Sequence, residues 1–190
     1  MESIIKQNIE SSIQLKSQLL NPNFISQIKN FSQILIDCYK SGNKVYFCGN
    51  GGSYSDAQHL AAELSGRFYY DRPSLEVVLL ASNISYMTAV ANDYDYDQIF
   101  LREFKSSVKE GDVVICFTTS GNSSNILSLL EYSVPGVKKI GLLGRDGGKC
   151  KQYCDLPIVI PSTDTARIQE CHMLIGHTAL QIVESTLFPV

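Results

Sequence analysis

The sequence predicts an α/β protein: a doubly wound parallel five-stranded sheet flanked by helices, with a helical N-terminal arm. Three observations predict it. From residue 42 onward, short and nearly continuous apolar runs alternate with helical stretches, the texture of strands buried on both faces. Ahead of them, apolar residues recur at steps of three and four, the helical period. Two of the strand ends run into turns rich in glycine and hydroxyl groups that open helices, as ligand-binding turns do in such sheets.

In the arm, Ile5, Ile9 and Ile13 stand four residues apart, and Leu19-Leu20 precede a break at Asn21-Pro22. Phe24, Ile28, Phe31, Leu35 and Cys38 then share one helical face. Ser41-Gly42-Asn43 supplies a helix stop and a turn. Strands are predicted at Val45–Cys48, Val77–Leu80, Val113–Phe117, Ile140–Leu143 and Leu156–Ile160, and Pro157 places the last at a sheet edge. The chain closes on a long helix from Thr165 to Leu187, with Ile168, Leu174, Ile175, Leu180, Ile182 and Val183 among its apolar positions. With no internal repeat or linker, residues 1–190 are expected to form one domain, with an arm over 1–41 and a core over 42–190. Such an arm either caps its own sheet or pairs with another subunit.

Composition excludes several classes of function. The chain has 44% apolar and 18% charged residues, an ordinary globular balance. A net charge of -3 without clustered Lys or Arg argues against a nucleic-acid partner, because binding by counterion release needs such clusters. The apolar runs fall far short of the roughly 20 residues that span a bilayer, so no membrane partner is expected. Met1–Lys6 does not look like a signal peptide, and the six cysteines sit mostly inside apolar runs, so a reducing cytoplasm is expected. Cys150 and Cys154 have a loose metal-like spacing ahead of His172 and His177, but a strand intervenes, and these cysteines and His172 are read as structural.

The chemistry is expected in the two turns. Cys48-Gly49-Asn50-Gly51-Gly52-Ser53 lets backbone amides approach a ligand, and the helix N-terminus behind it favours an anion. Thr118-Thr119-Ser120-Gly121-Asn122-Ser123 places four hydroxyls at another helix start, which suits a phosphate. Neither turn is a Walker or dinucleotide fingerprint. His59 and Glu63 lie four residues apart on one helical face. Gln169 and His177, eight residues apart, are separated by about 80° around theirs. Two imidazoles, a carboxylate and an amide suit zinc or another divalent transition metal. A helix salt bridge for His59 and Glu63, and a core role for His177, are the ordinary alternatives.

The run Cys48–Ser53, then Asp56-Ala-Gln-His59-Leu-Ala-Ala-Glu63-Leu-Ser-Gly-Arg67, resembles the sugar isomerase (SIS) domain of the phosphoheptose isomerases. Asn92-Asp93, Thr118–Ser123, Gly144-Arg-Asp-Gly-Gly148 and Arg167-Ile-Gln-Glu170 match in order, so the resemblance covers almost the whole chain. It implies conversion of sedoheptulose 7-phosphate to D-glycero-D-manno-heptose 7-phosphate. That reaction opens bacterial heptose biosynthesis for lipopolysaccharide, capsule or surface glycoprotein. A cytoplasmic homotetramer with active sites at subunit boundaries and one zinc per subunit is implied as well. The family's zinc ligands fall on His59, Glu63, Gln169 and His177, and its phosphate-binding hydroxyls on Ser53, Thr118, Thr119, Ser120 and Ser123. Sugar contacts would include Asn50, Arg67, Asp93 and Thr165, with Gly51, Gly52, Asn92 and Gln169 completing the substrate-binding set.

Aldose–ketose isomerisation needs a base for the carbon proton and a partner for the oxygens, roles that fit Glu63 and His177. Thr118 stands where relatives often have serine, and Ala166, acidic in some relatives, is given no role. The rival reading is a non-catalytic SIS-domain adaptor that binds the replication initiator DnaA. That adaptor lacks the acid and the imidazole found here at Glu63 and His177. An isomerase of hexose or pentose phosphates is a third reading, disfavoured by the pattern of His59, Glu63, Gln169 and His177.

Overall fold

The computed structural model of the chain describes residues 1–189. Helix α1 (Glu2–Gln18) breaks at Leu19 and restarts as α2 (Pro22–Lys40). The restart is local chemistry: the Asn21 side chain accepts the Asn23 N–H at 2.9 Å, and Pro22 fills the first helical position, where no N–H is needed. Then follow β1 (Val45–Cys48), α3 (Gly52–Ser65), β2 (Val77–Leu79), α4 (Ile84–Asp93), α5 (Ile99–Ser107), β3 (Val113–Thr118), α6 (Ser124–Glu131), β4 (Lys138–Gly144), β5 (Leu156–Ile160) and α7 (Thr165–Leu187). Short 3-10 turns occupy Tyr96–Gln98 and Lys149–Tyr153.

The five strands run parallel in the order β2-β1-β3-β4-β5. Pro157 lies on the edge strand β5, as its missing N–H requires. Side chains alternate between the faces, so each strand feeds two cores. Val45, Phe47, Ile115, Phe117, Leu142 and Ile158 pack under α2, α3 and α7. Tyr46, Cys48, Val114, Cys116 and Leu143 pack under α4, α5 and α6.

The arm divides in two. α2 is a layer of the core, with Phe31 and Leu35 fully buried. α1 buries only Leu15, with Leu19 buried just past its end, and its Ile5, Ile9 and Ile13 face outward, 55–59% exposed. Polar contacts tie α1 down: Ser12 donates to Glu170 Oε2 at 2.6 Å, and Arg167 donates to the Asn8 carbonyl at 2.9 Å. Among the described residues no helix is long and apolar enough to cross a membrane.

Two features of this frame position the site. The chain leaves β1 toward β2 on one side and leaves β3 toward β4 on the other, so a crevice opens beyond the carboxyl ends of β1 and β3. Both turns singled out in the sequence border it. On the face of α3 and α7, Gly176 meets Leu60 so closely that a Cβ there would lie 2.3 Å from Leu60 Cδ1. The two helices that carry His59, Glu63, Gln169 and His177 therefore approach with only the Leu60 side chain between them at this point.

Candidate active site

The first turn is held by side-chain amides. Gly51, at φ 55°, adopts a left-handed conformation that opens α3. Asn50 and Asn125 exchange two hydrogen bonds, at 2.8 and 2.9 Å, and Tyr96 donates to Asn50 Oδ1 at 3.0 Å. Ser53, in the first turn of α3, is almost closed off from solvent.

The second turn is a hydroxyl cluster organised by Thr118. Its Oγ1 lies 3.0 Å from Ser123 Oγ and 3.4 Å from Ser120 Oγ, and it accepts the Gly121 N–H at 3.2 Å. Ser120 Oγ accepts the Asn122 N–H at 3.1 Å. Beneath this turn lies the Gly144–Gly148 segment. A Cβ on Gly121 would sit 2.1 Å from the Gly147 carbonyl, and Cys150 N–H donates to the Gly121 carbonyl at 2.9 Å. The glycine-rich motif at 144–148 therefore acts as a cradle for the hydroxyl turn.

The titratable groups converge between α3 and α7. His59 Nε2 lies 3.0 Å from His177 Nε2 and 3.3 Å from Glu63 Oε1. One ligand atom from each of His59, Glu63 and His177 falls within 4.8 Å of the others. Ligands held tetrahedrally at metal–nitrogen distances of about 2.0 Å would stand about 3.3 Å apart, so with separations of 3.0 and 3.3 Å this set of two nitrogens and an oxygen could hold a metal ion. Burial, and after it the neighbouring His59, pushes the His177 imidazole below its usual pKa, with Glu63 opposing. Gln169 lines the same groove as His177, and its amide lies over Gly52, where a Cβ would stand 2.4 Å from Nε2. It links the groove to the first turn.

The other expected residues stand outside the titratable cluster. Arg67 is exposed just past the end of α3, and Thr165 is exposed at the start of α7. Asn92 and Asp93 end α4, exposed and bonded to each other at 2.8 Å. Thr119 lies in the hydroxyl turn with its carbonyl against Gly144. His172 is fully buried, its Nε2 3.1 Å from the Leu143 carbonyl, and Cys150 packs in the core on the other face of the sheet. No metal group forms from Cys150, Cys154 and His172 among the described residues.

Sequence reasoning passed over several residues that the fold brings here. Asp56 shares the groove with Gln169 and His177. Burial pushes its carboxyl up to about 6 against the opposing His59, and its Oδ2 is closed off with no hydrogen-bond partner among the described residues. Its place one turn before His59 was a legible signal. Asn125 and Tyr96 carry no such signal, since nothing local ties them to Asn50. The same holds for Phe68, stacked on His177 with ring centroids 5.6 Å apart.

Comparison with known proteins places this arrangement. Residues 9–144 match the family model described as the SIS domain. The phosphoheptose isomerase of Clostridium acetobutylicum is 46% identical over 190 residues, covering 99% of this chain and 97% of that protein. Phosphoheptose isomerase 2 of Campylobacter jejuni is also 46% identical, covering 99% and 94%. Among solved structures, the phosphoheptose isomerase of Neisseria gonorrhoeae superposes with a TM-score of 0.90 at 31% identity, covering 97% of this chain and 98% of that one. With likeness running the length of the chain in both sequence and fold, this protein belongs to the phosphoheptose isomerases of the SIS-domain family.

Proposed function

We propose that the chain interconverts sedoheptulose 7-phosphate and D-glycero-D-manno-heptose 7-phosphate. The convergence of His59, Glu63 and His177 beside a crevice bordered by a hydroxyl turn carries this reading. An adaptor needs neither Glu63 nor His177, and nothing in the site favours one.

In the reading offered here, Thr118, Thr119, Ser120 and Ser123, with Ser53, receive the phosphate at the start of α6. Binding energy is thereby placed far from the carbons that react. Asn50, Gly51, Gly52, Asn92 and Asp93 would meet the sugar. Glu63 removes the proton from the carbon next to the carbonyl, giving an enediol, and returns it to the neighbouring carbon. His177, whose pKa burial lowers, carries a proton between the two oxygens. His59, Glu63, Gln169 and His177 would hold zinc, which supplies Lewis-acid polarisation of the carbonyl when bound.

The reading takes the chain as one domain, supported by two cores that share a single sheet. It also takes the protein as a cytoplasmic homotetramer. The free cysteines, five of them buried, suit a reducing compartment. The outward Ile4, Ile5, Ile9 and Ile13 of α1 suit burial against another subunit, and the outward Arg67 suits a neighbour's site.

The test is turnover of sedoheptulose 7-phosphate before chelation, after it, and with zinc restored. Activity lost on chelation and regained with zinc is the expected result. No turnover in any metal state sinks the reading.

A further inference from the structure

The segment after α3 is tethered to α7 by one carboxylate. Glu184, 2% exposed, lies two helical turns beyond His177 on α7. It accepts the N–H groups of Phe68 and Tyr69 at 3.3 and 2.9 Å, and Arg72 Nε at 3.2 Å. With its backbone fixed there, Phe68 lays its ring against the His177 imidazole. The centroids are 5.6 Å apart and the planes differ by 17°, an offset stack of the favoured kind. The edge of that imidazole presents Nε2 to His59 at 3.0 Å. One helix thus carries both the histidine and the anchor of the ring that covers it.

We infer that Phe68 is a positioning residue for His177: its anchored ring fixes the plane of the imidazole so that Nε2 faces His59 and Glu63, and it shields one face from water. An imidazole on a helix turns about two side-chain bonds, and two histidines meeting at 3.0 Å leave little tolerance for that rotation. Groups that orient a ligating histidine commonly act through a hydrogen bond to its other nitrogen. Here the orienting contact is a ring face, with the hydrogen bonds one step back, at Glu184.

The kinetic part of this inference rests on the isomerase reading, while its metal-binding part does not. The test compares Phe68→Leu and Phe68→Tyr with the unaltered chain in three measurements. These are zinc affinity by competition with a chelator, kcat and KM for sedoheptulose 7-phosphate, and Tm. Phe68→Leu is expected to weaken zinc binding about tenfold and to lower kcat with KM nearly unchanged. Phe68→Tyr, which keeps the ring, is expected to restore both. Unchanged zinc affinity in Phe68→Leu overturns the inference. So does a loss equal in Leu and Tyr that follows Tm, since that marks packing alone. If the unaltered chain binds zinc but turns nothing over, the isomerase reading fails and the zinc measurement still decides the role of Phe68.

Discussion

Arg72 and Glu184 form an ion pair at 3.2 Å with side chains only 2% and 3% exposed. The rest of the guanidinium is spent on carbonyls, donating to Glu63 at 2.6 Å, Leu64 at 2.7 Å, Pro73 at 3.0 Å and Gly66 at 3.2 Å. The pair therefore fastens the end of α3, which carries His59 and Glu63, to α7, which carries Gln169 and His177. Removing one partner strands a buried charge, a loss of about 3–5 kcal/mol. Glu184→Leu and Arg72→Met are each expected to lose stability on that order in urea titrations. The double variant should lose less than the sum of the two, because neither charge is then left alone.

Glu63→Gln keeps the size of the side chain and removes the carboxylate proposed as the base. Turnover is expected to fall by about 10²–10⁴, the usual span for a positioned general base, with KM changed far less. Steady-state kinetics on the zinc-loaded variant check this. Near-normal turnover with metal still bound would take the base role away from Glu63.

In the hydroxyl turn, Thr118 and Ser120 should respond differently. Ser120→Ala removes one of the hydroxyls proposed to donate to the phosphate, and a hydrogen bond to a charged group is worth about 1.5–3 kcal/mol, so KM should rise between tenfold and a hundredfold. Thr118→Val also removes the acceptor of the Gly121 N–H and the partner of Ser123, so it should raise KM further and lower Tm. A Thr118→Ser variant keeps the hydroxyl and is expected to behave like the unaltered chain.

His172 makes the fold sensitive to acid. Burial pushes its imidazole down to about 4, whereas an unfolded histidine titrates near 6.5. The unfolded chain therefore binds the proton first, and stability falls as pH drops from about 6.5 to about 4. The full contribution is on the order of 3 kcal/mol. His172→Gln, which retains an N–H for the Leu143 carbonyl, should flatten this acid slope. Denaturant midpoints at pH 7.5 and 4.5 measure it.

The fold was legible because its signals are local. Apolar runs such as Val113–Phe117 mark strands, Pro157 marks an edge, and Asn21-Pro22 marks a helix start. The two helical pairs of the site were legible for the same reason, since spacing fixes which side chains share a face. The direction of α1 was not: Ile5, Ile9 and Ile13 announce a helix but not which side of it meets the sheet. Nor was the anchoring of Phe68, because Glu184 lies 116 residues away and reads as one more polar position on a long helix. Asn125 is silent in the same way, 75 residues from the Asn50 that it clasps.

Gly176 stands beside His177 where a single methyl group would strike Leu60, one position from His59. The spacing between packed helices depends on the side chains at their contact. Here the close approach beside the two imidazoles depends on an atom the chain does without. A substitution as mild as Gly176→Ala would force Leu60 to turn aside or the two helices to part, without touching His59, Glu63, Gln169 or His177. The fit between the two helices that carry the titratable cluster thus rests partly on a residue with no side chain to offer it.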